Sequence, residues 1–173
     1  MTIDTVLLDR DGIINEVIIR GKIVSSPRII DEFSFMEGIS DFINKMNTMS
    51  INLAIISNQP DISRGLLSND SLEFMNKLIQ TELGVSNIFI CTHDDIDACP
   101  CRKPKTGLLQ RAQKVMGFDK ESAIFVGDGW KDMKAGSRFG IKTVLLRTNY
   151  NLNANGDIEI DNLTQLENVV FAK

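Results

Sequence analysis

The 173-residue chain has no run of basic residues, no long apolar stretch and no spaced set of cysteines. Its 19 Lys and Arg are scattered among 23 Asp and Glu, for a formal net charge of -4. A protein that binds nucleic acid by neutralising phosphates needs a clustered cationic face, so no nucleic-acid partner is expected. The first apolar run, Val6 to Leu8, ends at once in Asp9, Arg10 and Asp11. That is far short of a signal-peptide core or a membrane span, and the expectation is a cytoplasmic protein without membrane attachment. All three cysteines fall between Cys91 and Cys101, too close together for the framework of a small secreted domain. They point to a metal in a reducing compartment. Internal repeats, low-complexity tracts and linkers are also missing, and apolar (43%) and charged (24%) fractions are those of an ordinary soluble globule. This length suits one core, so a single domain over 1–173 is expected, acting as a monomer on a small molecule.

Short β-type runs recur at Thr5 to Leu8, Asn52 to Ser57, Asn87 to Cys91, Ala123 to Gly127 and Thr143 to Leu146. Between them, helical spacing is carried by Ile39, Phe42, Ile43 and Met46, by Leu72, Met75, Leu78 and Ile79, and by Leu108, Leu109, Ala112 and Val115. The tail from Asn162 to Phe171 reads as a closing helix, and Arg20 to Asp31 and Thr148 to Gly156 as long surface loops. Alternating strands and helices require crossovers, which predicts a doubly wound, mostly parallel α/β sheet. Ligands of such sheets gather at the strand carboxyl ends, and that is where Asp9, Asp11, Ser57, Asn58 and Asp128 fall.

Leu7 to Asn15 reads LLDRDGIIN, two acids one residue apart beyond a buried strand, with Gly12 allowing a sharp turn. One carboxylate can act as nucleophile and the other as general acid and base, with a hard divalent cation offsetting charge. A solvated acidic turn is the plainer reading of that segment alone. SNQ at Ser57 to Gln59 offers a hydroxyl and two amides to phosphoryl oxygens, or is simply a polar turn. GDGWKD, from Gly127 to Asp132, adds Asp128 and, one helical turn on, Asp132, which could equally be a helix N-terminal acid. CRKPK, from Cys101 to Lys105, supplies a cation for a transferring phosphoryl.

The segment CTHDDIDACPC holds Cys91, His93, Cys99 and Cys101, every cysteine and the only histidine of the chain. Two close ligand pairs joined by a short loop suit a closed, tetrahedral and therefore structural zinc site. The alternatives are a disulfide with one free thiol or an incidental cluster. Zinc here would tie down the loop that leads into Arg102 and Lys103.

In this order, the four motifs LLDRDGIIN, SNQ, CRKPK and GDGWKD resemble those of the haloacid dehalogenase-like phosphatase superfamily, over nearly the whole chain. The resemblance implies a Rossmann-like fold and phosphomonoester hydrolysis through an aspartyl phosphate. By it, Asp9 is the nucleophile, and Asp11 protonates the leaving oxygen and then activates water. Mg2+ is implied on the Asp9 and Asp128 carboxylates and the Asp11 backbone carbonyl, with Ser57 and Lys103 on phosphoryl oxygens and Asp132 behind them. No segment of fifty or more residues stands between the motifs to house a cap domain, so an uncapped site is expected.

The zinc loop is similar to those of two groups, the D,D-heptose 1,7-bisphosphate phosphatases and the histidinol-phosphate phosphatases. The short stretch between His93 and Cys99 is more like the histidinol group. SNQPDISRG at Ser57 to Gly65 and DEFSFMEG at Asp31 to Gly38 resemble the heptose group, which is therefore preferred, with departures at Pro60, Asp61 and Gly129. By position, Arg64 and Arg102 would contact the phosphate that is not transferred or sugar hydroxyls, and Asn15 and Asn58 are further polar contacts. A surface arginine is the plainer reading of Arg64. A phospho-accepting receiver shares the fold, but it would place its acceptor aspartate after a central strand, where this chain has Ser57. A degenerate phosphatase that only binds ligands would have lost Asp9, Asp11 or Asp128, and all three are present.

Overall fold

A computed structural model describes residues 2–172. Six strands form one parallel sheet: β1 (Thr5–Leu8), β4 (Asn52–Asn58), β5 (Asn87–Cys91), β6 (Ala123–Gly127), β7 (Lys142–Leu146) and β8 (Ile158–Ile160), in the spatial order β5-β4-β1-β6-β7-β8. β1 is central, every residue of it is buried, and its side chains alternate between two cores. Val6 and Leu8 face α1 (Ile39–Thr48) and α5 (Leu163–Val170), where Ile39, Phe42, Ile43, Met46 and Leu166 pack. Leu7 faces α3 (Gly107–Met116) and α4 (Trp130–Phe139), with Leu108, Leu109, Ala112 and Ala135. α2 (Asn69–Leu83) is capped by Ser68, whose hydroxyl accepts from the Ser71 N–H at 3.0 Å, and ends at Gly84. The predicted helical faces are therefore real, except that Leu78 is only half-buried and Val115 lies outside the core, at 63% exposure.

The segment Arg20 to Asp31, expected as a surface loop, differs in the structure. β2 (Ile18–Arg20) and β3 (Ile23–Ser25) form an antiparallel hairpin, closed by Gly21 and Lys22 with Gly21 at φ +66°. β-branched runs flanking a glycine turn are a hairpin signal, but with three-residue strands the signal is weak. The loop after β7 is likewise followed by a short strand, β8, whose three residues are too few to carry a strand signal.

The chain runs from β1 outward to β4 and β5, then crosses to the other side of β1 for β6. Helix directions diverge at this switch point and leave a crevice at the carboxyl ends of β4, β1 and β6. Leu8 is paired with Ile55 on one side and Val126 on the other. The residues that follow these strands thus emerge side by side.

Candidate active site

Asp9 leaves β1 with its N–H donated to the Val126 carbonyl at 2.8 Å, which locks it beside the end of β6. Asp128 follows β6 directly, and Asp132 lies in the first turn of α4, where its Oδ2 accepts the Gly129 N–H at 3.0 Å. Asp132 thus does both things that sequence allowed: it caps a helix, and its Oδ1 lies 2.6 Å from the Lys103 ammonium. Lys103 is 2% exposed, 2.7 Å from Asp9 Oδ1, and also donates to the Ile56 carbonyl at 2.7 Å. Carboxylate oxygens of Asp9, Asp128 and Asp132 all fall within 4.8 Å of one another.

Two glycines make this convergence possible. Gly12 sits at φ +83°, and a Cβ there would lie 2.1 Å from Asp128 Oδ2. At Gly127 a Cβ would lie 2.4 Å from the Asp132 side chain. Any other residue at either place would push the acids apart.

The titration of these groups follows from crowding. Burial first, then the Asp132 carboxylate, push Asp9 well above the usual carboxylate range against the pull of Lys103. The same two causes push Asp128 up to about 7, although a hydrogen bond from the Tyr150 hydroxyl at 2.7 Å works the other way. Burial disfavours the charge on Lys103, yet Asp132 and Asp9 outweigh it and raise the ammonium above its ordinary value. Three crowded carboxylates with one buried ammonium fit a hard divalent cation, which would remove the mutual repulsion.

Asp11 differs from its neighbour. Its Oδ1 accepts from Arg10 Nη2 and Asn15 Nδ2, each at 2.9 Å, and its Oδ2 from Ser26 Oγ at 2.8 Å and Gln59 Nε2 at 2.6 Å. Burial alone would raise its pKa, but the Arg10 guanidinium and the hydrogen bonds from Asn15, Arg10 and Ser26 hold it below the usual range. Asn15 is fully buried behind Asp11, donating also to the Glu16 carbonyl, so its amide orients an acid rather than facing a ligand. Asn58 pins Lys103 at both ends, Nδ2 to its carbonyl and Oδ1 from its N–H, each at 3.0 Å. Ser57 is buried at the end of β4 and accepts from Gln59 Nε2 at 2.9 Å. Arg10, Ser26 and Tyr150 were not expected at the site. A charged residue inside DRD could have drawn notice to Arg10; Ser26 and Tyr150 arrive from distant loops and carry no local signal.

The Cys91 Sγ lies 3.6 Å from His93 Nδ1 and 3.6 Å from Cys99 Sγ, and Cys101 Sγ lies 3.2 Å, 3.3 Å and 3.4 Å from Cys91, Cys99 and His93. These spacings exclude disulfide bonds, which need about 2.05 Å. They approach the edges of a tetrahedron whose metal–ligand bonds are about 2.0–2.3 Å. Burial pushes the Cys91 thiol up to about 12, so its thiolate calls for a cation. Burial opposes the Cys99 thiolate too, but hydrogen bonds from the Arg102 and Cys101 backbone and from the other thiols bring it down to about 7. The cluster is compatible with zinc. The next residue, Arg102, donates Nε to Asp95 Oδ1 at 2.7 Å, and Arg64 grips Asp94 with two bonds of 2.6 Å.

Both arginines line one cavity of about 320 Å³ with Asp9, Lys103, Arg28 and Trp130. The β2–β3 hairpin lines it through Ile23 to Ser25.

A doubly wound sheet that gathers four carboxylates and a buried lysine at its strand ends, beside a cavity walled by arginines, defines a hydrolase of phosphate esters. The chain belongs to the haloacid dehalogenase-like hydrolase family, whose model matches residues 4–140, and it is a phosphatase. It is 32% identical to the D-glycero-beta-D-manno-heptose-1,7-bisphosphate 7-phosphatase of Haemophilus influenzae, with 95% of each chain covered. It is 35% identical to the enzyme of the same description from Helicobacter pylori, over 82% of this chain and 81% of that one. The crystal structure of D,D-heptose 1,7-bisphosphate phosphatase from B. bronchiseptica, complexed with magnesium and phosphate, superposes with a TM-score of 0.84 at 23% identity, covering 96% of this chain and 99% of that one. No helix among the described residues is long and apolar enough to cross a membrane.

Proposed function

We propose that the protein removes the 7-phosphate of D-glycero-D-manno-heptose 1,7-bisphosphate, with Asp9 as nucleophile and Asp11 as general acid and base. The observation that carries the reading is the convergence of Asp9 and Asp132 on Lys103, with Asp128 beside the two acids, at a cavity whose walls hold three arginines. The names of the relatives supply the sugar. Asp9 Oδ attacks phosphorus as the bond to the sugar oxygen breaks, and Asp11 gives that oxygen its proton. Asp11 then takes a proton from water, whose oxygen attacks phosphorus and frees the Asp9 carboxylate and inorganic phosphate. Asp11 is held as a carboxylate in the free protein; an anionic phosphoryl beside it raises its affinity for the proton it must deliver. Ser57 and Lys103 hold phosphoryl oxygens, and Asn58 keeps Lys103 in place.

Mg2+, when bound, supplies a Lewis acid for the charge on nucleophile and phosphoryl. The Asp9 and Asp128 carboxylates and the Asp11 backbone carbonyl would hold it. Cys91, His93, Cys99 and Cys101 would hold a structural Zn2+, which fixes the turn from which Arg102 and Lys103 project. Residues 1–173 act as one uncapped domain, as a cytoplasmic monomer working in carbohydrate metabolism on a small phosphorylated sugar and without a nucleic-acid partner.

The test is phosphate release with Mg2+ from heptose 1,7-bisphosphate, histidinol phosphate and hexose phosphates. The expected kcat/KM for the heptose bisphosphate exceeds the others by about a hundredfold, roughly 2.7 kcal/mol. Faster release from histidinol phosphate would replace the sugar with that substrate. Release from none of them would end the reading.

A further inference from the structure

The three arginines of the cavity wall are not equivalent. Arg64 spends Nε and Nη2 on Asp94 and Nη1 on Asp61, the last at 3.3 Å. Arg102 spends Nε and Nη2 on Asp95 and Nη1 on the His93 carbonyl at 3.3 Å. Each nitrogen of both already makes a bond within the protein, so neither presents a pair of unpartnered terminal nitrogens. Arg28 donates Nε to Asp61 Oδ2 at 2.7 Å, and its two terminal nitrogens have no partner among the described residues. It is 30% exposed and opens on the same cavity as Asp9 and Lys103.

Asp61 explains how Arg28 is held. It is 5% exposed and takes Arg28 on one oxygen and Arg64 on the other. A buried carboxylate gripped from both sides has little freedom, and it fixes Arg28 by Nε alone. The Arg28 backbone N–H is tied as well, to Glu32 Oε2 at 2.8 Å, and Glu32 is paired in turn with Arg20. What remains free is the pair of terminal nitrogens, the part of a guanidinium that meets two phosphate oxygens at once. Three guanidiniums here face three carboxylates, Asp61, Asp94 and Asp95, so attraction for an anion comes from this free fork rather than from surplus charge.

We infer that Arg28, aimed by Asp61, binds the phosphate that stays on the substrate and sets the preference for a bisphosphate over a monophosphate. The inference rests on the reading of the substrate proposed above. Two residues before Arg28, Ser26 donates to Asp11 at 2.8 Å. A phosphate seated on Arg28 therefore also steadies the segment that orients the general acid, so that binding far from the reacting bond serves the reaction.

The experiment compares kcat/KM for heptose 1,7-bisphosphate and heptose 7-phosphate in the wild type, Arg28→Met, Arg28→Lys and Asp61→Asn. Arg28→Met is expected to lower the bisphosphate-to-monophosphate ratio by about 10- to 100-fold, mainly through KM. Arg28→Lys falls between, since an ammonium keeps the charge and loses the fork, and Asp61→Asn also lowers the ratio. Should Arg28→Met slow both substrates alike and leave the wild-type ratio standing, Arg28 is structural and the inference is overturned while the substrate reading survives. A wild-type ratio near one overturns that reading, and this inference with it.

Discussion

The Cys91–Cys101 cluster draws four ligand atoms from one short loop, whereas Asp9, Asp128 and Asp132 reach one another from the ends of two strands and the first turn of a helix. The first is nearly closed, with thiols and imidazole as its own complete set. The second opens on a cavity and is short of positive charge. A closed soft-ligand set is suited to holding structure, and an open hard-ligand set to chemistry. Lys103 joins them: the thiol loop delivers it, and the acids receive it.

The sharpest way to break this division is to remove one member from each side. Asp9→Asn is expected to lower kcat by at least about a thousandfold while leaving zinc content, read by elemental analysis, unchanged. Rapid quenching of the wild type during turnover should leave one phosphoryl group on the peptide that contains Asp9. Cys99→Ser acts the other way: thermal unfolding should show a stability loss on the order of 3 kcal/mol or more. Its kcat/KM should fall about 10- to 100-fold as the loop before Lys103 loosens.

The acid cluster should also announce itself through pH. Asp128 moves from its ordinary 3.8 up to about 7 by burial and the Asp132 carboxylate. Between those values the folded, magnesium-free protein keeps a proton that the unfolded chain has lost. The Asp128 contribution to stability therefore declines as pH rises through that window and levels off above about 7. Mg2+ competes with the same proton, so calorimetry should find its affinity climbing over the window and flattening above about 7. Tyr150→Phe is the smallest change. Losing the hydrogen bond that lowers Asp128 should weaken Mg2+ binding a fewfold and move the flattening to higher pH.

The same contrast explains what could be read from the sequence. Cys91, His93, Cys99 and Cys101 were legible because their partners are neighbours in the chain. Asp9, Asp11 and Asp128 were legible as residues beyond strand ends, since β1 and β6 end where their apolar runs do, and Ser57 because β4 ends only one residue later, at Asn58. What lies around them was not. Arg10 and Gln59 on Asp11, and Asn151, whose amide donates to the Asp128 carbonyl at 2.9 Å, act through tertiary contacts that leave no periodicity. Asn15 and Asn58 were expected to contact the substrate, whereas the fold turns their amides to Asp11 and to the Lys103 backbone. The hairpin was hidden by its short strands, and with it Ser26 and Arg28.

The division between the two clusters is tested most directly by stripping Mg2+ while zinc is retained, then restoring it, and following phosphate release from heptose 1,7-bisphosphate beside zinc content. Activity should fall to background without Mg2+ and return in full when it is added back, at constant zinc. Activity that survives the loss of Mg2+ and follows zinc instead would place the chemistry at the cysteine cluster and contradict the account.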